Sequence, residues 1–389
     1  MIKNPNTQGL RLVMIAFMLA HSANDGYNAL FPPLLPLIRD HFNLSYTQLG
    51  GFLSLFRFFG NYLQIPAGYL SHFISSSTII AAGLLWLSIG VLLASFVRSY
   101  WVLTFFLSLA GIGRATYHPL SFSLLSKIFP KEILGRIVGL HMAASSAANL
   151  ICPFLVILLS NRYGWYWPIR VWTIYGIVAA FIFMGVMKKN IEKEKKPTGK
   201  ALRLPFISSS LVLYILYRMG WGIAHNGMNV FLPLFLMEEA NFSIKYATLF
   251  YMAQYAIHLF ARPLMGVFSD KMGKRKPLII LESILCCLLF LCLTIFKTKL
   301  ALLIIISAIG LFAGTLPVVG HTYALEIIPR EHRDRTMGFF FTLSTSITTF
   351  SPLIVGFIAD YFGLLQSFII LTAILGISTI LLFFTKENK

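Results

Sequence analysis

Residues 17–36 read FMLAHSANDGYNALFPPLLP and lie inside an apolar stretch, residues 10–38, that is long enough to cross a bilayer. Four of its polar residues are His21, Asn24, Asp25 and Asn28. Their spacing of i, i+3, i+4 and i+7 places them on one face of a helix. A carboxylate at the centre of a membrane span costs about 2.5–3.5 kcal/mol. The stretch therefore predicts a membrane helix whose polar face turns away from lipid, toward protein or water.

Two interpretations of Asp25 follow from this placement. It is either a functional group or a hydrogen-bonding partner of a neighbouring helix. Further along the same stretch, Pro32, Pro33 and Pro36 predict a bend or break, because proline removes a helical hydrogen bond.

The composition is typical of a protein with many membrane helices. Of the 389 residues, 57% are hydrophobic and 12% are charged, and the mean hydropathy is +0.76. The formal charge of +18 does not indicate nucleic-acid binding, because the basic residues fall in short loops between apolar spans. We therefore expect a lipid bilayer as the surroundings and no nucleic-acid partner.

Hydropathy predicts an all-α membrane protein with twelve transmembrane helices. The segment 188–205 is long, polar and basic, and it predicts a cytoplasmic linker between a six-helix bundle at 1–187 and another at 206–389. The twelve predicted spans are 10–38, 46–72, 78–97, 101–127, 137–160, 167–187, 206–237, 246–268, 277–296, 300–326, 337–359 and 365–384.

The distribution of basic residues predicts the orientation of these spans. With both termini and the linker in the cytoplasm, 21 of the 32 Lys and Arg residues are cytoplasmic and 7 lie on the far side. Positive charge is enriched in cytoplasmic loops of membrane proteins. We expect a multi-pass protein of the cell inner membrane with both termini inside.

The two halves repeat each other at a shift of 198 or 199 residues. Residues 128–139 match 327–338, Gly111 falls on Gly310, and Pro153 falls on Pro352. Because six spans and a linker separate the halves, the copies have the same orientation, which predicts a parallel pseudo-repeat.

Residues 266–276, GVFSDKMGKRK, carry a family resemblance. Gly266, Asp270, Gly273 and Arg275 resemble the cytoplasmic signature loop of the major facilitator superfamily, which implies that fold and a gating role for the loop. The first-half copy, residues 68–73, lacks the aspartate and the basic residues.

The first half is similar to the fosmidomycin-resistance group of drug exporters within that superfamily. The similarity covers residues 17–139 and rests on His21, Asp25, the segments 34–36 and 44–50, Gln64, Gly111 to Gly113 and Tyr117 to Pro119. It implies drug export and a pathway position for His118. The chain departs from that group at Arg114, where the group has a small residue.

Embedded charges give the strongest indication of substrate. Arg57, Arg114 and Arg218 fall near the middle of spans, whereas Asp25 is taken as the only comparably central carboxylate. Arginine cannot lose its charge at physiological pH, so a surplus of about two positive charges predicts an anionic ligand. For Arg114, an ion pair with Asp25 is an equal alternative to contact with an anionic ligand.

We predict substrate binding by Arg57, Arg114, His118, Arg218, His225 and Asn28. His21 and Asp25 lie one turn apart and predict proton coupling, with a fixed hydrogen-bonded pair as the alternative. No motif for ATP, a nucleophile or a metal is present, so we expect no cofactor beyond the proton gradient, no metal and no enzymatic activity.

These features together predict a monomeric secondary transporter with two bundles that rock around a midplane site formed by helices one, two, four and seven. The first reading is a proton-coupled exporter of small anionic or amphiphilic drugs. The alternative is an importer of an anionic metabolite such as an organic phosphate, a carboxylate or a carboxylate-type siderophore. A membrane sensor or scaffold would not need so many central charges.

Overall fold

The computed structural model describes residues 7–71, 73–129, 134–190, 207–328 and 333–386. All regular structure in these ranges is helical. The helices are α1 (Thr7–Phe42), α2 (Tyr46–Tyr62), α3 (Gln64–Leu70), α4 (Ser76–Ala94), α5 (Tyr100–Arg114), α6 (Tyr117–Ile128), α7 (Leu134–Tyr163), α8 (Tyr166–Asn190), α9 (Ser209–Glu239), α10 (Ile244–Met272), α11 (Lys276–Ile295), α12 (Lys299–Ile327), α13 (Arg333–Ser346), α14 (Ser351–Phe362) and α15 (Leu364–Phe383).

The predicted twelve-span, all-α fold is confirmed. Three predicted spans are each divided into two helices, namely α2 with α3, α5 with α6, and α13 with α14, where a 3-10 turn at Ile347–Phe350 joins the last pair. Each of the other nine helices corresponds to one span.

Seven spans among the described residues are long and apolar enough to be recognised as membrane-crossing by themselves. The other five contain α1, α2 with α3, α5 with α6, α9 and α10. These five are either broken or interrupted by polar side chains, and they carry every predicted site residue up to Asp270. The site residues predicted from the sequence therefore lie mostly on the less apolar spans.

Proline has different effects in two of the polar spans. Pro119 lacks the N–H that would bond to Ala115, and the fourth span breaks at Ala115 and Thr116. By contrast, α1 continues as one helix through its three prolines, so the predicted break in this span is not observed. The break in the fourth span separates Arg114 from His118.

The chain forms two compact units. The first comprises residues 1–43 and 52–200, and the second comprises residues 44–51 and 201–389. In the first unit α1 packs on α7 and α8, and in the second α9 packs on α15 while α10 packs on α12. Of the predicted linker, 188–190 end α8 and the remainder lies outside the described residues.

The repeat is visible in a close helix contact within each unit. In the first unit, Gly111 lies against the backbone of Phe56, so that a Cβ on this glycine would overlap the Phe56 carbonyl oxygen. In the second, Gly310 lies against Gln254, where a Cβ would stand 2.6 Å from the Gln254 Cα. Glycine is thus required at matching positions, because both helix pairs approach to backbone contact.

A buried core beside α1 positions the polar face of that helix. Phe17 and Phe183 pack edge to face with ring centroids 5.1 Å apart, and both are fully buried. The Tyr117 hydroxyl donates to the Phe17 carbonyl at 2.8 Å, which joins the start of α6 to α1. His118, the next residue, is thereby held beside α1.

Candidate functional site

Asp25 on α1 is the centre of a polar cluster in the first unit. Its Oδ1 accepts a hydrogen bond from Asn24 Nδ2 at 2.9 Å and lies 3.1 Å from His118 Nε2. Its Oδ2 accepts from Ser145 Oγ at 2.6 Å and lies 3.0 Å from His21 Nε2. Four donor groups from α1, α6 and α7 therefore surround one carboxylate.

The contacts of His21 show where protons reside in this cluster. Its Nδ1 lies 2.8 Å from the carbonyl oxygen of His141, which can only accept, so Nδ1 carries a hydrogen. Its Nε2 faces Asp25 at ion-pair distance, although the pair is not aligned as a full hydrogen bond. Two lone pairs would repel each other there, and the donors around Asp25 leave its oxygens no place for a proton. The arrangement fits a doubly protonated His21 beside an ionised Asp25.

His141 on α7 is a member of this cluster that sequence reasoning missed. Its ring stacks on His21, with centroids 4.0 Å apart and planes 17° apart. The ring is fully buried and neither nitrogen has a hydrogen-bond partner, so a neutral ring is favoured. His141 and Ser145 lie one helical turn apart, as His21 and Asp25 do. This shared i, i+4 spacing is the feature of the sequence that could have identified His141 and Ser145 as members of the cluster.

The members of the cluster differ in exposure, and His118 is the most exposed. The side chain of His21 is fully buried, that of Asp25 is 15% exposed, and that of His118 is 29% exposed. The three residues also place one ligand atom each within 4.8 Å of the others, so they are the described group that could hold a metal ion. A metal would have to displace donors already on Asp25.

Arg114 ends α5 at the break in the fourth span. Its Nε and Nη1 are buried and have no hydrogen-bond partner. Gly60 of α2 lies beside it, where a Cβ would stand 3.1 Å from Nη1, and its Cζ is 5.7 Å from the Phe56 ring centroid. The alternative of an Asp25–Arg114 ion pair is not observed, because Asp25 contacts two histidines, although it remains within electrostatic reach of Arg114.

The two remaining first-unit candidates lie on α1 and α2. Arg57 lies half-buried on α2, and Asn28 lies half-buried on α1, one turn beyond Asn24 and Asp25. Asn28 is therefore on the predicted polar face.

In the second unit, Arg218 and His225 lie on one face of α9 with Trp221 between them. The Arg218 Cζ is 4.6 Å above the Trp221 ring, and His225 stacks on the same tryptophan with centroids 4.7 Å apart. Arg218 Nε and Nη1 are buried without a hydrogen-bond partner. This second arginine therefore has an aromatic neighbour but unused donors.

His225 also borders a small cavity within the second unit. Asn229 and Gln254 line it with apolar residues of α9, α11 and α12. The Asn229 amide donates to Tyr255 at 2.7 Å and accepts from Gln254 at 2.8 Å. Neither Asn229 nor Gln254 was predicted as a site residue from the sequence.

Glu282 on α11 corrects the charge count made from sequence. Asp25 is not the only central carboxylate, because Glu282 is 2% exposed and six residues inside a strongly apolar helix. Its Oε1 accepts from Thr315 Oγ1 at 2.6 Å, whereas Oε2 has no hydrogen-bond partner. The positive surplus is therefore about two only while Glu282 is neutral.

The predicted gating loop is described in part. Gly273 ends α10 in the left-handed conformation, with φ +65°, which favours glycine. Arg275 is 7% exposed, and its Nε donates to Glu326 Oε1 at 3.2 Å while Nη1 donates to Ser269 Oγ at 2.5 Å. The side chain of Asp270 and the surroundings of Gly266 lie outside what the structure describes.

Comparison with known proteins places this geometry in a family. The model described as Major Facilitator Superfamily matches residues 17–281 and 211–389. Proteins named "Probable nitrate transporter NarT" are similar in sequence: that of Staphylococcus carnosus is 24% identical over 257 residues, and that of Staphylococcus epidermidis is 24% identical over 255. These matches span 64% and 65% of this chain and the same shares of the relatives, which is less than two thirds of their length.

Solved structures agree in fold. A bacterial homologue of the human lysosomal transporter Spinster, in an inward-facing and unoccupied conformation, matches with a TM-score of 0.82 and 16% identity, covering 98% of both chains. The nucleoside transporter NupG matches with a TM-score of 0.81 and 9% identity, covering 96% of this chain and all of that one. At these identities the likeness concerns the fold alone.

Proposed function

This chain belongs to the Major Facilitator Superfamily, and from that premise we propose that it is a proton-coupled transporter that imports a small anion, such as nitrate, across the cell membrane. Membership of the superfamily makes the protein a multi-pass membrane transporter. We propose its substrate, its direction of transport and its coupling to protons.

The observation that carries the proposal is that two guanidinium nitrogens of Arg114 have no hydrogen-bond partner. Both are buried in a protein interior, where an uncompensated positive charge is expensive. A planar anion with several oxygens would satisfy those donors, because arginine binds such groups through parallel hydrogen bonds. In the second unit, Arg218 offers unpaired donors of the same kind.

The names of the relatives bear on the substrate. They are called nitrate transporters rather than drug exporters, which favours an inorganic anion over the drugs that the fosmidomycin-resistance resemblance implies. Nitrate is smaller than the organic anions considered from sequence, and it needs only donors and positive charge for recognition.

The electrostatic effect of Asp25 on Arg114 supports proton coupling. A proton on His21 offsets the charge of Asp25, so the positive field at Arg114 increases and an anion binds more tightly. Loss of that proton restores the competing negative charge and favours release of the anion. Proton and anion would therefore bind together and travel in the same direction.

The test is the thermal stability of the purified protein with nitrate, phosphate, a carboxylate and a cation such as choline. We expect nitrate to raise the melting temperature, because a ligand at about 100 times its Kd stabilises the folded state by about 2.7 kcal/mol. Arg114→Gln should abolish that rise.

The matched control is Arg170→Gln. Arg170 donates to the Ser95 hydroxyl and carbonyl, both at 3.1 Å, so it has a structural role. This variant should melt at a lower temperature but keep the full rise with nitrate. If only cations or neutral compounds stabilise the protein, the proposed function is wrong.

A further inference from the structure

We propose that Trp221 is a direct anion ligand, and that its indole N–H and the guanidinium of Arg218 form one anion-binding subsite on α9. The sequence predicted Arg218 and His225 as binding residues, but not the tryptophan between them. The inference rests on the proposed function for its choice of nitrate as the anion. The contacts that carry it all lie within the second unit.

Three donor groups on one turn of α9 lack an acceptor. Nε and Nη1 of Arg218 and Nε1 of Trp221 are buried, and none has a hydrogen-bond partner among the residues that the structure describes. Trp221 is 5% exposed, and a buried indole N–H normally has a partner. Guanidinium and indole groups only donate hydrogen bonds, so Arg218 and Trp221 cannot satisfy each other. Both side chains therefore need an acceptor from outside this pair.

The two side chains are in direct contact. The Arg218 Cζ lies 4.6 Å from the centroid of the Trp221 ring, which is a cation–π distance. Because Nε1 is part of that ring, one small anion can reach both its hydrogen and the guanidinium donors. His225 stacks on the same ring, with centroids 4.7 Å apart and planes 12° apart, and so restricts rotation of the indole. His225 also lines the cavity of this unit, so open space lies next to the stack.

The backbone around Trp221 is held by close helix contacts. A Cβ on Gly220 would stand 2.6 Å from a side chain of α15, and one on Gly222 would stand 2.2 Å from that of Thr348. Glycine on both sides of the tryptophan lets α9 approach these neighbours closely. The indole is therefore presented from a fixed backbone.

The missing acceptor is an anion rather than a neutral group. Arg218 keeps its charge at physiological pH, and it forms no ion pair in the described part of the chain. Water could accept from the same donors, but it would leave a buried positive charge uncompensated. The acidic side chains described in this unit have other neighbours: Glu238 accepts from Tyr46, Glu282 from Thr315, Glu326 from Arg275 and Asp360 from the Tyr46 and Thr47 amides, and Glu239 lies near Lys297.

NMR spectra of the purified protein with isotope-labelled tryptophan test the contact. The Trp221 indole resonance is identified by its absence in Trp221→Phe, or in Trp221→Tyr if the first variant does not fold. Saturating nitrate should move this resonance downfield, because the N–H gains a charged acceptor. Arg218→Gln should abolish the movement at the same nitrate concentration.

Trp165 is the matched internal control. Its Nε1 is likewise buried without a partner in the described structure, but its ring contacts are those of His41, Phe42 and Tyr166. Its resonance should stay in place. A Trp221 resonance that does not move with nitrate, moves no more than that of Trp165, or moves fully in Arg218→Gln overturns the inference.

The second experiment measures nitrate affinity from the rise in melting temperature. Trp221→Phe keeps an aromatic ring for Arg218 and His225 but removes the N–H, so its Kd for nitrate should increase about tenfold. Trp165→Phe should lower the melting temperature without changing that Kd. A wild-type Kd in Trp221→Phe overturns the inference.

The outcomes separate this inference from the proposed function. An Arg114-dependent rise in melting temperature with no movement of the Trp221 resonance retains the proposed function and overturns the inference. Movement of the Trp221 resonance with no such rise retains the inference and overturns the proposed function. If nitrate produces neither effect, both are wrong.

Discussion

Asp25→Asn is expected to destabilise the protein and to uncouple anion transport from the proton gradient. Asparagine replaces one carboxylate oxygen by an NH2 donor. With its donor turned toward Ser145 and His21, the amide can still be satisfied, because the serine hydroxyl and Nε2 of a neutral His21 can accept. The four contacts lose their charge assistance, at about 1–1.5 kcal/mol each, so the cost is about 4–6 kcal/mol.

The loss can be measured by thermal unfolding. One kcal/mol corresponds to about 2–4 °C for domains of 150–250 residues, so a drop of at least about 8 °C is expected. Asp40→Asn is the matched control, because Asp40 is exposed at the end of the same helix. That variant should melt at the wild-type temperature.

Transport in proteoliposomes tests the coupling. Without the charge of Asp25, Arg114 is uncompensated at every pH, so anion exchange should continue while uptake driven by an inward proton gradient is lost. The wild type should lose uptake as the pH rises, because His21 then releases its proton. Gradient-driven uptake by Asp25→Asn with wild-type pH dependence would refute this reasoning.

Two further substitutions test the scaffold. Gly111→Ala places a Cβ against the backbone of Phe56 and should cost about 1–3 kcal/mol, seen as a lower melting temperature; an unchanged value would show that the two helices can separate freely. Asp360→Ala removes the acceptor of the Tyr46 and Thr47 amides, both at 2.8 Å, at the start of α2. It should cost about 0.5–2 kcal/mol and speed hydrogen exchange of those amides, whereas Asp360→Asn should retain most of the cap. Equal exchange in the alanine variant would contradict the capping role.

The fold could be predicted because its determinants are local. Apolar length defines a span, and basic loops separate one span from the next. The polar face of α1 could also be predicted, because residues three and four apart share one face of a helix regardless of what that helix packs against. Hydropathy could not show that the fourth span is broken, although Pro119 and the preceding glycines were visible.

The partners of Asp25 could not be predicted, because they depend on how helices rotate against each other. Ser145 and His118 are 120 and 93 residues away in the chain, and the sequence offered Arg114 as an equal candidate. Glu282 was missed for a different reason. It lies in the most hydrophobic of the recognised spans, with mean hydropathy 2.8, where one carboxylate hardly alters the average.

The hydrogen bond from His21 Nδ1 to the His141 carbonyl has a consequence for kinetics. While it holds, the imidazole cannot rotate, and only Nε2 can exchange a proton with its surroundings. A proton therefore exchanges with this histidine only on the side that faces Asp25 Oδ2.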